Sequence, residues 1–310
     1  MIAYDRRGAG EPLVLIHPLG ADRHVWAPVI DRLAGQRHVI ALDLPGFGES
    51  PALENGSPPD PAALATAVAA FLDGLGIERP HLAGNSLGGW VALELALAGR
   101  ARSVTAIAPA GLWAQPLPPK PSPGRAIARA AAPVLPALLT TSGGRRAVLA
   151  ATVAHPERVP AAEALRLVRT YAAAPGYGAV NSAMRAGRFL GLDRIDVPVT
   201  LAWPDRDRLV ARPRRLPASV RSVVLQGCGH LPMWDDPEQV ARLLLEGSGG
   251  SRPAAPPRAR YLTRVRRRFQ AMIVWPVASP SLRGWMWWPE TTNFRFLPNS
   301  CFSDSFAGLM

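Results

Sequence analysis

Pro80-His81-Leu82-Ala83-Gly84-Asn85-Ser86-Leu87-Gly88-Gly89 sets Ser86 between two glycines. A strand-like apolar pair, Leu82-Ala83, precedes it, and an apolar helix-like run, Trp90–Ala98, follows. Gly84-Asn85-Ser86-Leu87-Gly88 matches G-x-S-x-G, the pattern of a nucleophile elbow. So sharp a turn from strand to helix forces the serine into a strained backbone conformation and lifts its hydroxyl clear of a sheet. Only small residues two places to either side let the chain fold that tightly. The first amides of the following helix then point toward negative charge forming at the hydroxyl.

A neutral serine is a weak nucleophile and needs a base beside it. The chain has six histidines: His17, His24, His38, His81, His155 and His230. His230 ends Gly227-Cys228-Gly229-His230, directly after the strand-like run Ser222–Gln226. Glycines at that point suit a loop carrying an imidazole over a sheet end. The run before it, Val199–Trp203, leads into Pro204-Asp205-Arg206-Asp207 and offers two carboxylates. The chain order is therefore serine, acid, histidine, unlike the orders of the chymotrypsin and subtilisin types.

His17-Pro18-Leu19-Gly20, Asp43-Leu44-Pro45-Gly46-Phe47-Gly48-Glu49-Ser50, the elbow, Asp205-Arg206-Asp207 and Gly229-His230 together resemble the α/β-hydrolase superfamily, in its compact, capped, esterase-like branch. The resemblance spans residues 2–247. It implies a doubly wound, mostly parallel α/β sheet with an inserted helical cap, and a catalytic Ser86–Asp207–His230 triad. The family's acid stands three residues after a turn glycine; Pro204 occupies that place here, which points to Asp207. Asp205 is then a loop carboxylate for Arg206 or Arg208. The resemblance also implies oxyanion donors at the backbone amides of Leu19 and Leu87, each contributing ~3 kcal/mol to a tetrahedral intermediate. Pro18 replaces a common family glycine and stiffens that loop, but the donor needed belongs to Leu19. Similar proteins include carboxylesterases, enol-lactone hydrolases, cofactor-free perhydrolases and carbon–carbon bond hydrolases.

With 48% hydrophobic and 19% charged residues in 310, the chain can bury a large core. Short apolar runs at Leu13–His17, His38–Asp43, His81–Asn85, Ser103–Ala108, Val199–Trp203 and Ser222–Gln226 read as parallel strands covered on both faces. Pro61–Leu75 reads as a helix capped by Asp60, and Pro237–Leu245 as the last helix of the domain. The organisation expected is a first core part over 1–110, a helical cap over 111–196, a second core part over 197–247, and a tail over 248–310. A cluster of prolines, Pro116 to Pro123, opens the insertion and favours an extended lead-in.

The net charge of +12 is uneven: residues 251–310 hold nine arginines and two acids, so +7 lies there and +5 on residues 1–250. The tail adds Trp275, Trp285, Trp287 and Trp288 around Arg264–Arg268. That mixture could suit an anionic membrane surface or nucleic acid. Without helical periodicity or a nucleic-acid motif, it reads as a poorly structured appendage, with no nucleic-acid partner expected. Two cysteines, Cys228 and Cys301, make no disulfide framework, and no apolar signal segment follows Met1, so the expected location is cytoplasmic. Cys228 reads as a small buried spacer.

Several residues near the motifs have structural readings. His17 would shape the oxyanion loop, Asp43, Glu49 and Ser50 would serve a turn, and Asn85 would tune the elbow. Trp26 and Trp113 are candidates for the acyl pocket, with core packing as the competing reading. No metal-ligand spacing or glycine-rich nucleotide fingerprint occurs, so neither cofactor nor metal is expected. Three functions fit: hydrolysis of a carboxylic ester or lactone through an acyl-enzyme, carbon–carbon hydrolysis of a dienoic diketone acid, and ligand binding on a hydrolase scaffold. The residues favour catalysis over binding and leave the first two open.

Overall fold

A computed structural model describes residues 1–53, 59–119 and 123–249. The strands are β1 (Tyr4–Arg7), β2 (Pro12–Ile16), β3 (His38–Leu42), β4 (His81–Asn85), β5 (Ser103–Ile107), β6 (Val199–Pro204) and β7 (Arg221–Leu225). They form one seven-stranded sheet in the order β1-β3-β2-β4-β5-β6-β7. β1 runs antiparallel to β3 and every other pairing is parallel. β4, β5 and β6 are buried along their whole length, which is why they read as unbroken apolar or small-residue runs. β1, with the sequence Tyr-Asp-Arg-Arg, is a charged edge that discourages further strand pairing.

Alternation along the strands splits the core between two faces. Val14, Ile16, Ile40 and Leu42 join one cluster, with Leu64, Val68 and Leu72 of α2 (Pro61–Gly74) and Val91 and Leu95 of α3 (Leu87–Leu97). Leu13, Leu15, Val39 and Ala41 join the other, with Val29 and Leu33 of α1 (Ala27–Ala34). Asp60 caps α2 by accepting from the Ala63 amide at 2.8 Å, with Pro61 in the first turn.

Between β5 and β6 the chain forms α4 (Pro123–Ala130), α5 (Leu135–Thr140), α6 (Ser142–Leu149), α7 (Ala161–Ala173) and α8 (Tyr177–Ala186). This insertion is bonded to loops beyond the carboxyl ends of the strands. Gly176 N donates to Gly46 O at 2.9 Å and Leu231 N to Thr152 O at 2.8 Å. Thr170 Oγ1 donates to Asp22 Oδ2 at 3.1 Å. After β7 come α9 (Pro232–Asp235) and α10 (Pro237–Gly247), the latter against α1.

The fold reverses at β2: the chain passes from β2 outward to β3, then crosses to β4 on the other side. The loops after β2 and β4 therefore lie side by side at the switch point, the usual place for a ligand in an open α/β sheet. Among the described residues no helix is long and apolar enough to cross a membrane. The sequence readings of the tail beyond Gly249, including its arginine cluster, its tryptophans and Cys301, lie outside the described residues.

Candidate active site

Ser86 follows β4 directly and precedes α3, with φ 55° and ψ −113°. For a serine this left-handed backbone is strained. Three backbone bonds hold it. Ser86 N donates to Ile107 O at 2.9 Å, while Trp90 N and Ala110 N donate to Ser86 O at 3.1 and 3.0 Å. The flanking glycines are steric necessities. A Cβ on Gly84 would stand 2.1 Å from Gly88 O, and one on Gly88 would stand 2.1 Å from Ile16 O. Asn85, wholly buried, donates from Nδ2 to Ile107 O at 3.1 Å and so ties the end of β4 to β5.

Asp207 and His230 meet at the ends of β6 and β7. Nδ1 of His230 lies 2.8 Å from Asp207 Oδ2, and both side chains are nearly buried. The other oxygen, Oδ1, accepts from the amides of Leu209 at 2.7 Å and Val210 at 3.1 Å. One oxygen is thus anchored by its own loop and the other faces the imidazole. Burial pushes the Asp207 carboxyl up, but the hydrogen bond and charge of His230, aided by the two amides, outweigh it and hold it below the usual range. With Asp207 ionised, the proton between them sits on Nδ1 and leaves Nε2 as a base. Among the described residues Ser86 Oγ makes no hydrogen bond to His230; such contacts commonly tighten only with substrate.

Asp205 has a different role. It accepts from Cys228 N at 3.2 Å, Arg206 N donates to Cys228 O at 2.9 Å, and Asp205 N donates to Leu225 O at 3.0 Å. The expected pairing of Asp205 with Arg206 or Arg208 is replaced by this lacing of the acid loop to the histidine loop. Burial, reinforced by Asp235, Asp236 and Asp205, pushes the neighbouring Cys228 thiol up to about 12, so it stays protonated.

Leu19 and Leu87 carry amides on the two loops that flank the switch point. Leu87 is the first residue of α3, where the amides have no partner within the helix. The loop of Leu19 is held by His17, whose side chain is fully buried. Leu44 N donates to His17 Nε2 at 2.9 Å. Nε2 must therefore carry a lone pair, and the proton is on Nδ1, which donates to Pro18 O at 2.8 Å. Burial lowers the His17 pKa, against the opposing bond to Pro18, and keeps the ring neutral. That bond fixes the Pro18–Leu19 peptide and so aims the Leu19 N–H.

The alpha/beta hydrolase family profile matches residues 13–243. The chain belongs to this family. It is 38% identical over 204 residues to the Epoxide hydrolase EphH of Mycobacterium tuberculosis, covering 59% of this chain and 92% of that protein. It is 35% identical over 133 residues to the 2-hydroxy-6-oxo-6-phenylhexa-2,4-dienoate hydrolase of Comamonas testosteroni, covering 40% of this chain and 45% of that one. The solved enol-lactonase of Burkholderia xenovorans LB400 superposes with a TM-score of 0.62 at 22% identity, over 79% of this chain and 95% of that one, a likeness of fold.

In this hydrolase the tryptophan candidates separate. Trp26 has no exposed surface and lies in the apolar core cluster with Val25 and Val29. A side chain that water cannot reach lines no pocket, so Trp26 is a core residue. Trp113 meets Trp90 edge-on at 5.7 Å and donates from Nε1 to Gly187 O at 2.9 Å. It lines a cleft of about 350 Å³ with Leu112, Phe189 and Leu216, and neither Ser86 nor His230 is among the walls.

Other residues at the site lacked a motif. The rings of Tyr171 and Tyr177 close over Gly20, beside Leu19: a Cβ there would meet them at 2.9 and 3.0 Å. Fully buried Asp43 accepts from Arg23 N at 2.7 Å, from the Arg23 guanidinium, and from Glu49 N at 2.9 Å. Arg23 neutralises this buried carboxylate, a pairing that no short motif marks. Asp235, nearly buried, accepts from Gly229 N at 2.8 Å, His155 N at 2.7 Å and Ala154 N at 3.1 Å. It joins the histidine loop to the insertion. Among the described residues no cluster of three or more histidine, cysteine or acidic side chains could hold a metal ion.

Proposed function

We propose that this chain is a serine hydrolase of carboxylic esters or lactones that works through an acyl-enzyme. The observation that carries this reading is the strained Ser86 elbow at the switch point, on the same sheet edge as the 2.8 Å Asp207–His230 pair. His230 Nε2 removes the Ser86 proton as Oγ attacks the carbonyl carbon, and Asp207 stabilises the imidazolium that results. The amides of Leu19 and Leu87 receive the oxyanion. Collapse expels the alcohol, which takes its proton from His230. Water then repeats the sequence on the acyl-serine, releasing the acid and restoring Ser86. In a lactone both products are one hydroxy acid.

The identity of the nucleophile weighs against epoxide opening, the chemistry named for the tuberculosis relative. A serine that opened an epoxide would form an ether, which a histidine-activated water does not cleave. A carboxylate nucleophile forms an ester, which it does. Residues 111–196 act as the cap, supported by the tyrosine pair over Gly20, by the bond from Leu231 to Thr152, and by the bond from Ala154 to Asp235. A cap of this kind excludes water and shapes the pocket for the small-molecule substrate.

A series of p-nitrophenyl esters and lactones of increasing chain length, assayed without added metal or nucleotide, tests the reading. Turnover that survives EDTA and vanishes in Ser86→Ala supports it. Inert esters and lactones beside turnover of a dienoic diketone acid would replace it with carbon–carbon hydrolysis.

A further inference from the structure

The +5 on residues 1–250 is not mild everywhere. Residues 111–196 hold eleven basic and four acidic side chains, a net +7, which leaves −2 on the rest of residues 1–250. Within the insertion, residues 123–150, from α4 to α6, contain Arg125, Arg129, Arg145 and Arg146 and no acidic residue at all.

The same segment turns aliphatic side chains to solvent. No residue of α4 is buried. Ile127, Val134 and Leu138 are 66%, 59% and 40% exposed, whereas Leu135 and Leu139, one place further on, are buried beneath them. Bonds from Ala131 N to Ile127 O and from Leu135 N to Ala131 O link α4 to α5 through the turn at 131–134. Leu138 N donates to Val134 O at 3.0 Å, so the four-residue spacing puts Val134 and Leu138 on one side of the first turn of α5, while Ile127 is exposed on α4.

The arginines of this segment are bonded to the insertion itself, and Arg125 also lies over the Tyr177 ring, 4.7 Å from its centroid. Arg125 donates to the carbonyls of Tyr171, Ala172 and Ala174, and Arg129 to that of Ala172, so both grip the carboxyl end of α7. Arg145 donates to the carbonyls of Leu139, Thr140 and Glu157. Among the described residues only Arg146 of the four meets a carboxylate, that of Glu157 at 3.3 Å. These contacts fix the helices in place, and among the described residues three of the four arginines form no ion pair with an acid.

We infer that the α4–α6 face docks on an anionic lipid surface. Exposed aliphatic side chains on a basic segment that has no acidic residue of its own match an interface with apolar depth and negative headgroups. A nucleic acid would answer the arginines and leave Ile127, Val134 and Leu138 in water. A second copy of the same face would set like charges against each other. The inference stands independently of the chemistry at Ser86.

The test uses the full chain with vesicles of phosphatidylcholine alone and of equimolar phosphatidylcholine and phosphatidylglycerol. The wild type is expected to sediment with the anionic vesicles, weakly with the neutral ones, and less as salt is raised. Val134→Glu/Leu138→Glu is expected to weaken anionic binding about tenfold or more, with hydrolysis of a soluble ester unchanged. The basic tail is common to both proteins, so its contribution cancels in the comparison. Val134→Ser/Leu138→Ser, a milder change, should give a smaller loss and covers the case in which the glutamates prevent folding. Equal binding of wild type and variants would overturn the inference. So would equal binding to both vesicle types, or a wild-type dimer that the variants dissociate.

Discussion

Asp205 and Asp207 stand two residues apart after β6, and their hydrogen bonds divide the work between them. Asp207→Asn should lower kcat by about 10⁴-fold, because an amide facing Nδ1 favours the wrong tautomer of His230. Asp205→Asn should cost far less turnover and show chiefly as lower stability, since Cys228 N and the loop it holds lose their acceptor. Steady-state kinetics on both variants check the ranking. The folded Asp207 carboxyl titrates below its unfolded value near ~3.9, so its stabilisation is present above that pH and is lost as pH falls through the lowered folded value. Thermal unfolding of wild type and Asp207→Asn should therefore converge as the pH is taken below about 4. Cys228, with its thiol held at about 12, should resist iodoacetamide in the native protein at pH 8. Rapid modification at Cys228 without unfolding would refute its burial.

The loops that carry the chemistry belong to separate elements, and buried carboxylates join them. Asp235 at the end of α9 gathers three amides, one from the histidine loop and two from the insertion. Asp235→Asn should destabilise the fold by about 2–3 kcal/mol, because charge-assisted bonds are lost and one amide group is turned against donors. It should also lower kcat by loosening His230; denaturant unfolding and kinetics measured together check both effects. Asp43 does the corresponding service beneath the Leu19 loop, where Arg23 neutralises it. Arg23→Ala would leave a buried, unpaired carboxylate and should cost about 3–5 kcal/mol, visible as a lower midpoint of chemical denaturation.

At the scale of the whole molecule, the parallel sheet was legible because β4, β5 and β6 are buried on both faces and read as apolar or small-residue runs. The elbow was legible because Gly84 and Gly88 are the only residues that fit where they stand. Chain order offered Asp205 and Asp207 as partners of His230, and the resemblance to the family pointed to Asp207, whose Oδ2 lies 2.8 Å from Nδ1. What stayed hidden were contacts between distant segments. Arg23 with Asp43, Asp235 with Ala154, and Tyr171 and Tyr177 over Gly20 are joined only by folding, and no short motif records them. Trp26 stayed open between pocket and core for a related reason: an aromatic near a motif looks the same in sequence whether it faces a pocket or the core, and the core reading is the one its burial supports. The basic insertion was masked by summing its charge with that of a slightly acidic core.

Ser86 as the attacking atom is the claim on which the proposed chemistry depends. Treatment of the native protein with a fluorophosphonate, followed by peptide mass spectrometry, addresses it most directly. The expected result is one stoichiometric adduct on the peptide containing Gly84-Asn85-Ser86-Leu87-Gly88, loss of ester turnover in proportion to labelling, and no labelling of folded Ser86→Ala. Undiminished ester hydrolysis by folded Ser86→Ala, or an inactivating adduct on any other residue, would contradict it.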